Sequence, residues 1–467
     1  MDRIWRLVAP RAAYEPLEND EVNAGERTAA DGEQRRITPF SWIAYSVFLL
    51  LGVAMLWAWN MFLAAAPYFH RRFHPSEWAV KHYQPSILSV STVTNLGCVL
   101  VLAKLQKNAS YPKRIAASLV LLIVVFTLLA LSTVAFKNLP VGMYFLFVMT
   151  MVFGASLATG MNQNGVFAYV SGFGRPEYIQ AIMAGQGVAG VLPCIVQILS
   201  VLAVPEREEK GSPEQQESSK SAFAYFFTAA VVSALALASF LYLAKRSSRT
   251  LTKALHDEDN RVAQEETPPT TTATPSDDPT KPPQNKSFGL WRLFKKLQWL
   301  ALAIYLCFTV TMVFPVFTAE IESVQDPSSR SRLFEPAIFI PLAFLFWNTG
   351  DLLGRLSVLI PPLAEVTRYP RALFALSVLR LIFIPLYLLC NIRGRGASGP
   401  ENSDFFYLVV VQLGFGLTNG FLGSSCMMGA GRYVSVDERE AAGGFMSMML
   451  VAGLTTGSLL SFFVASA

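Results

Sequence analysis

The chain has 467 residues, of which 52% are hydrophobic and only 15% charged, with a formal net charge of +5. A water-facing surface needs roughly a quarter of its residues charged, so this composition excludes a string of soluble domains. It points instead to an all-α polytopic membrane protein, with the Lys and Arg excess reporting topology rather than nucleic-acid binding.

Residues 1–38 are polar, with six Arg against eight Asp and Glu, and read as a disordered cytosolic tail rather than a cleavable signal peptide. A bilayer span needs about 20 mostly apolar residues. Such windows fall near 40–66, 85–105, 114–136, 142–170, 179–203 and 221–244, and again near 298–321, 335–361, 370–392, 404–431 and 440–465. They make eleven transmembrane helices in a 6+5 arrangement, with an N-terminal bundle over 39–244 and a C-terminal bundle over 298–467. The last span runs almost to the end of the sequence, so no soluble C-terminal domain is expected. Between the halves, 245–297 carries Thr267-Pro268-Pro269-Thr270-Thr271-Thr272 and Lys281-Pro282-Pro283. Pro, Thr and charge without apolar periodicity predict a disordered linker.

The linker holds ten Lys and Arg, and the connection after the second span adds Lys107, Lys113 and Arg114. Both fall on one side, which is expected to be cytosolic. The N-terminus is then cytosolic and the C-terminus lumenal or extracellular. Sequons at Asn108 and Asn285 would lie on the cytosolic side, unglycosylated. Arg71, Arg72 and Lys81 after the first span run against this assignment.

The five cysteines lie in apolar stretches without a CxxC pair, and the four histidines lie in polar connections. They predict no metal site and no cofactor. An intramembrane enzyme is a remote alternative, because that chemistry needs a base or metal within the membrane. Nothing resembles an ATP-binding loop.

Polar groups within apolar spans face a cavity or a partner. In the eighth span, Asn348, Asp351 and Arg355 are spaced i, i+3, i+7 on one helical face. Asp351 and Arg355 can pair, either as a brace or as a site for hydroxyl and heterocycle groups. In the fourth span, Gly160 and Asn164 share a face of Gly160-Met161-Asn162-Gln163-Asn164, while the three carboxamides splay over about 200°. Asn164 and Gln163 suit a heterocyclic base or, equally, interhelical hydrogen bonding. In the fifth span, Met183-Ala184-Gly185-Gln186-Gly187-Val188-Ala189-Gly190 reads mainly as close packing, with Gln186 a candidate cavity contact. Trp59-Asn60 in the first span either anchors the interface or stacks on a flat ligand. Arg380 in the ninth span invites a partner on another helix.

These pieces in this order resemble the equilibrative nucleoside transporter family. The matching segments are Trp59-Asn60 with Tyr68-Phe69, the Met183–Gly190 run, Phe314-Pro315, and Asp351-Leu352-Leu353-Gly354-Arg355. Arg380-Leu381-Ile382-Phe383-Ile384-Pro385 through Leu389-Cys390-Asn391 follows, then Asn419-Gly420-Phe421. The resemblance implies a major-facilitator-like fold lacking its last helix, with a central cavity between the halves. It implies facilitative transport of nucleosides such as adenosine and uridine, and in some members nucleobases, by alternating access. It implies no cofactor, no nucleic acid and no obligatory protein partner beyond membrane lipid. Trp59 matches a base-contacting tryptophan and Leu63 a neighbouring apolar position. Asp351 and Arg355 match the pair that contacts the ribose. Asn164 falls where the family commonly has a base-binding Gln, with Gln163 one step away. Similarity to fungal members implies a vacuolar or other internal membrane as readily as the plasma membrane. A proton-coupled symporter using Asp351 is the alternative within transport.

Overall fold

The structure is a computed structural model and describes residues 40–106, 109–203, 214–265, 289–312, 314–326, 330–392 and 403–465. The N-terminal tail, both sequons and the Pro- and Thr-rich part of the linker lie outside those residues. Among the described residues, eleven helices are long and apolar enough to cross a membrane. They are α1 (Trp42–Phe73), α2 (Glu77–Lys104), α3 (Tyr111–Ala135), α4 (Val141–Gly172), α5 (Pro176–Leu199) and α6 (Ser219–Arg246) in the first half. The second half holds α7 (Leu290–Glu320), α8 (Pro336–Ser357), α9 (Pro370–Leu388), α10 (Phe406–Arg432) and α11 (Val436–Ser461).

Local chemistry explains where these helices break. Pro67 lacks an N–H, so α1 pauses at Ala65 and restarts with the proline in the first turn of Ala66–Phe73. Pro385 withholds a donor from the turn before it, and the backbone at Arg380–Ile382 tightens to a 3-10 turn inside α9. The start of α10, Phe406–Leu413, is π-helical.

One expectation is corrected. The helix carrying α6 runs on to Glu265, so residues 245–265 are helical rather than irregular. This stretch lacks proline and is rich in Lys, Arg, Leu, Ala and Glu, all good helix formers.

Helix pairing repeats with an offset of six. α1 packs along α5 as α7 packs along α11, and α2 lies on α4 as α8 lies on α10. Across the junction, α5 meets α8 and α10, while α11 meets α2 and α4, again an offset of six. In the first half α3 is covered by α6. Its counterpart α9 has no sixth helix to cover it among the described residues.

Because helices alternate in direction, the end of α4 and the start of α11 share the linker side, and the halves close against each other there. A Cβ at Gly443 would collide with the Phe167 carbonyl, and one at Gly172 would press on Glu440. Asn164 Nδ2 donates to the Gly444 carbonyl at 3.5 Å. On the opposite side, Arg72 donates to the carbonyls of Phe136 and Leu139 at 3.0 and 2.7 Å. It thereby caps the end of α3, which gives this charge a structural use away from the linker side.

Glycines from both helices bring α8 close against α10. Gly350 and Gly354 face the Leu413 and Leu417 carbonyls, while Gly416 and Gly420 face those of Trp347 and Asp351. These interleaved glycines let the backbones touch. In an isolated helix Gly→Ala gains about 1 kcal/mol. At Gly420 the added carbon meets backbone that cannot turn aside, and overpacking costs about 1–3 kcal/mol. Gly420→Ala is therefore expected to lower the melting temperature of the purified protein; a raised one would refute the close approach.

Candidate functional site

The site is built on α8. Arg355 Nε donates to Asp351 Oδ2 at 2.6 Å, the i, i+4 pair expected from spacing, and both residues are 4% exposed. The guanidinium also reaches the first half, where Nη1 donates to the Met183 carbonyl and to Gln186 Oε1, each at 3.0 Å. The second carboxylate oxygen, Asp351 Oδ1, accepts from Asn419 Nδ2 of α10 at 2.7 Å. Among the described residues, Gln186 Nε2 has only the thioether of Met55, on α1, at 3.3 Å. Sulfur is a weak acceptor, so this amide keeps donor capacity in hand. Buried charge is tolerated when its donors and acceptors find partners, and here three helices, α5, α8 and α10, supply them.

The small residues of α5 make this reach possible. A Cβ at Gly187 would sit 3.2 Å from Arg355 Cδ, and one at Gly190 would strike Asn348 Oδ1. Gly185 lies against the Leu49 carbonyl of α1. The glycine run is thus packing, as expected, with Gln186 its polar contributor.

The other candidates divide. Asn60 donates to the Ala189 carbonyl at 2.7 Å and ties α1 to α5. Asn348 donates to the Phe344 carbonyl at 2.9 Å and touches Cys194 Sγ at 3.5 Å. Gly160 faces Asn95 and Cys98 of α2. Asn164 accepts from Arg114 Nη1 at 2.6 Å besides bonding Gly444. These four hold helices together in this state. Gln163 is 8% exposed and makes no hydrogen bond among the described residues. Trp59 is half-buried and lies parallel to Phe62, with centroids 6.2 Å apart. Leu63, one turn on, is exposed. Among the site candidates, Gln186, Asp351 and Arg355 form one network; Trp59, Leu63 and Gln163 lie outside its hydrogen bonds.

Sequence reasoning missed Asn419 and Met55 as members, along with Thr311, whose Oγ1 donates to Asn419 Oδ1 at 2.7 Å, and left Arg380 without a named partner. It also placed Arg114 in a loop, whereas it sits in the first turn of α3 and binds Asn164. The available signal for Asn419 was a lone carboxamide inside the glycine-rich Gly414–Gly420 stretch. The cysteines are free thiols. Beyond the end of α9, burial pushes the Cys390 thiol up to about 12, which keeps it protonated.

Two repeated helical halves meeting around buried polar side chains make a fold of the major facilitator type. Solved structures agree on the fold. The proton:xylose symporter XylE, bound to 6-bromo-6-deoxy-D-glucose, superimposes with a TM-score of 0.55 at 10% identity over 91% of this chain and 88% of that one. The transporter FucP in its outward conformation gives 0.51 at 15% identity over 91% and 96%. Residues 148–466 match the nucleoside transporter family model. The chain is 31% identical to the nucleoside transporter FUN26 of Saccharomyces cerevisiae over 90% of its length and 83% of that protein. It is 30% identical to equilibrative nucleoside transporter 1 of Mus musculus over 89% and 95%. The chain belongs to the nucleoside transporter family, and it is an integral multi-pass membrane protein.

Proposed function

We propose that this protein carries nucleosides down their gradient by alternating access, with the substrate held at the junction of its two halves. The observation that carries this reading is the Arg355–Gln186 contact. It joins the polar face of α8 to the first half, so rocking the halves must make or break it. Asp351 accepts from ribose hydroxyls, because a carboxylate is an acceptor-only group. The second N–H of Gln186 and the amide of Gln163, neither with a partner among the described residues, serve the base, and Trp59 stacks on it with Leu63 alongside. Asn164, engaged with Arg114, is the weaker candidate for the base-contacting amide. Asn60, Asn348 and Gly160 hold the helices that frame the site.

The Asp351–Arg355 pair is internally neutral and suits an uncharged substrate. Both carboxylate oxygens already accept hydrogen bonds, an arrangement that favours equilibrative transport over proton coupling through Asp351. The linker side is cytosolic on its Lys and Arg count. A vacuolar or other internal membrane, or the plasma membrane, is the site of action.

Uptake of labelled uridine and adenosine by sealed proteoliposomes tests the assignment of the base. Gln163→Ala is expected to raise KM by about tenfold, the worth of one good hydrogen bond, and to change the ratio of the two substrates. Asn164→Ala is expected to alter turnover more than that ratio. The reverse pattern would move the base to Asn164.

A further inference from the structure

Arg380 is 1% exposed, and no carboxylate lies within ion-pair distance of it among the described residues. Its charge is met by dipoles. Nε donates to Thr418 Oγ1 at 3.1 Å, Nη1 to the Cys307 carbonyl at 2.7 Å and Nη2 to the Phe415 carbonyl at 3.4 Å. The guanidinium also lies 4.4 Å from the centre of the Phe415 ring. Both terminal nitrogens reach Thr311 Oγ1 at 3.4 Å. The 3-10 turn ahead of Pro385 is the backbone feature at which α9 presents this side chain.

We propose that Arg380, acting through Thr311 and Asn419, is a positioning residue for Asp351. It sets the direction of a hydrogen-bond chain that holds the carboxylate in its binding orientation. This rests on the carrier reading, in which Asp351 takes the substrate hydroxyls.

The direction follows from proton counting. A hydroxyl has one proton to give, and Thr311 has two acceptors in reach, the Cys307 carbonyl at 2.8 Å and Asn419 Oδ1 at 2.7 Å. Arg380 already donates a charged N–H to the Cys307 carbonyl and aims two more at the Thr311 oxygen. The Thr311 proton therefore goes to Asn419 Oδ1. Cys307 Sγ, itself 3.0 Å from Arg380 Nη1, supports the same oxygen at 3.4 Å. With Oδ1 committed, the Asn419 amide presents Nδ2 to Asp351 Oδ1. The flipped amide would set two acceptors face to face. A guanidinium has five donors and no acceptor, so it fixes the polarity of the chain from its end. Arg355 does the same from the other side, donating to Asp351 Oδ2 and to Gln186 Oε1. Three helices of the second half, α7, α9 and α10, thus decide how α8 offers its carboxylate.

The test uses full-length protein in sealed liposomes, with uridine uptake, melting temperature and membrane content read together. Thr311→Val removes the link and leaves every charge in place. It is expected to raise KM by about tenfold with Vmax per folded protein and melting temperature little changed. Arg380→Lys keeps a donor for the Cys307 carbonyl but loses the fork, and is expected to give a smaller rise in KM. Thr311→Val added to Asn419→Ser is expected to add nothing to the single Asn419→Ser change. An unchanged KM in Thr311→Val, with or without a loss of stability, would overturn the relay and leave these residues as bundle braces. So would independent effects of Thr311→Val and Asn419→Ser that multiply. Wild-type protein without saturable uridine flux would overturn the carrier reading, and the relay with it.

Discussion

Asp351→Ala is expected to abolish nucleoside uptake while leaving much of the protein in the membrane. The carboxylate is the acceptor offered to substrate hydroxyls, and hydrogen bonds to a charged group contribute about 1.5–3 kcal/mol each. Losing two corresponds to a fall of at least about a hundredfold in transport efficiency. Part of any loss is structural, because Arg355 and Asn419 each forfeit a partner at 2.6 and 2.7 Å. Asp351→Asn separates the two contributions. Its oxygen still accepts from Arg355, but its amide meets Nδ2 of Asn419, donor against donor. Near-wild-type melting together with lost uptake would assign Asp351 to the site. Unchanged uptake in either variant would remove α8 from it.

Arg355→Met is expected to have the larger effect on stability. It leaves Asp351 buried with only a neutral amide to meet its charge, and breaking a buried pair from one side costs about 3–5 kcal/mol. It also severs the contacts to Met183 and Gln186 that cross between the halves. Replacing both partners, as Asp351→Leu with Arg355→Met, removes the stranded charge and is expected to recover much of the lost melting temperature without recovering transport. Thermal unfolding in detergent checks this order. A double variant less stable than Arg355→Met alone would show that the pair is a stabilising brace rather than a site held at a cost.

The spans, their number and the Asp351–Arg355 pairing were legible because they depend on local quantities: apolar run length and helical spacing. The glycine run of α5 was legible as packing for the same reason. What escaped depends on tertiary register. Asn419 is 68 residues from Asp351, and only the interleaving of Gly350 and Gly354 with Gly416 and Gly420 brings them together. Arg114 looked like a topogenic loop charge, since nothing local says that Asn164, 50 residues away, will accept from it. The choice between Gln163 and Asn164 was likewise not legible, since nothing local says that Asn164 is engaged with Arg114 while Gln163 makes no hydrogen bond among the described residues. The helix through Glu265 was missed for a different reason: the irregular composition beyond Pro268 was extended backward over residues that favour a helix.

The most direct test of the account is flux through purified protein in sealed liposomes, following labelled uridine and adenosine with and without an inward proton gradient. The account predicts saturable uptake that stops when concentrations on the two sides are equal, whichever gradient is present. Accumulation above the outside concentration that appears only with the gradient would contradict it and make an intramembrane carboxylate a proton carrier.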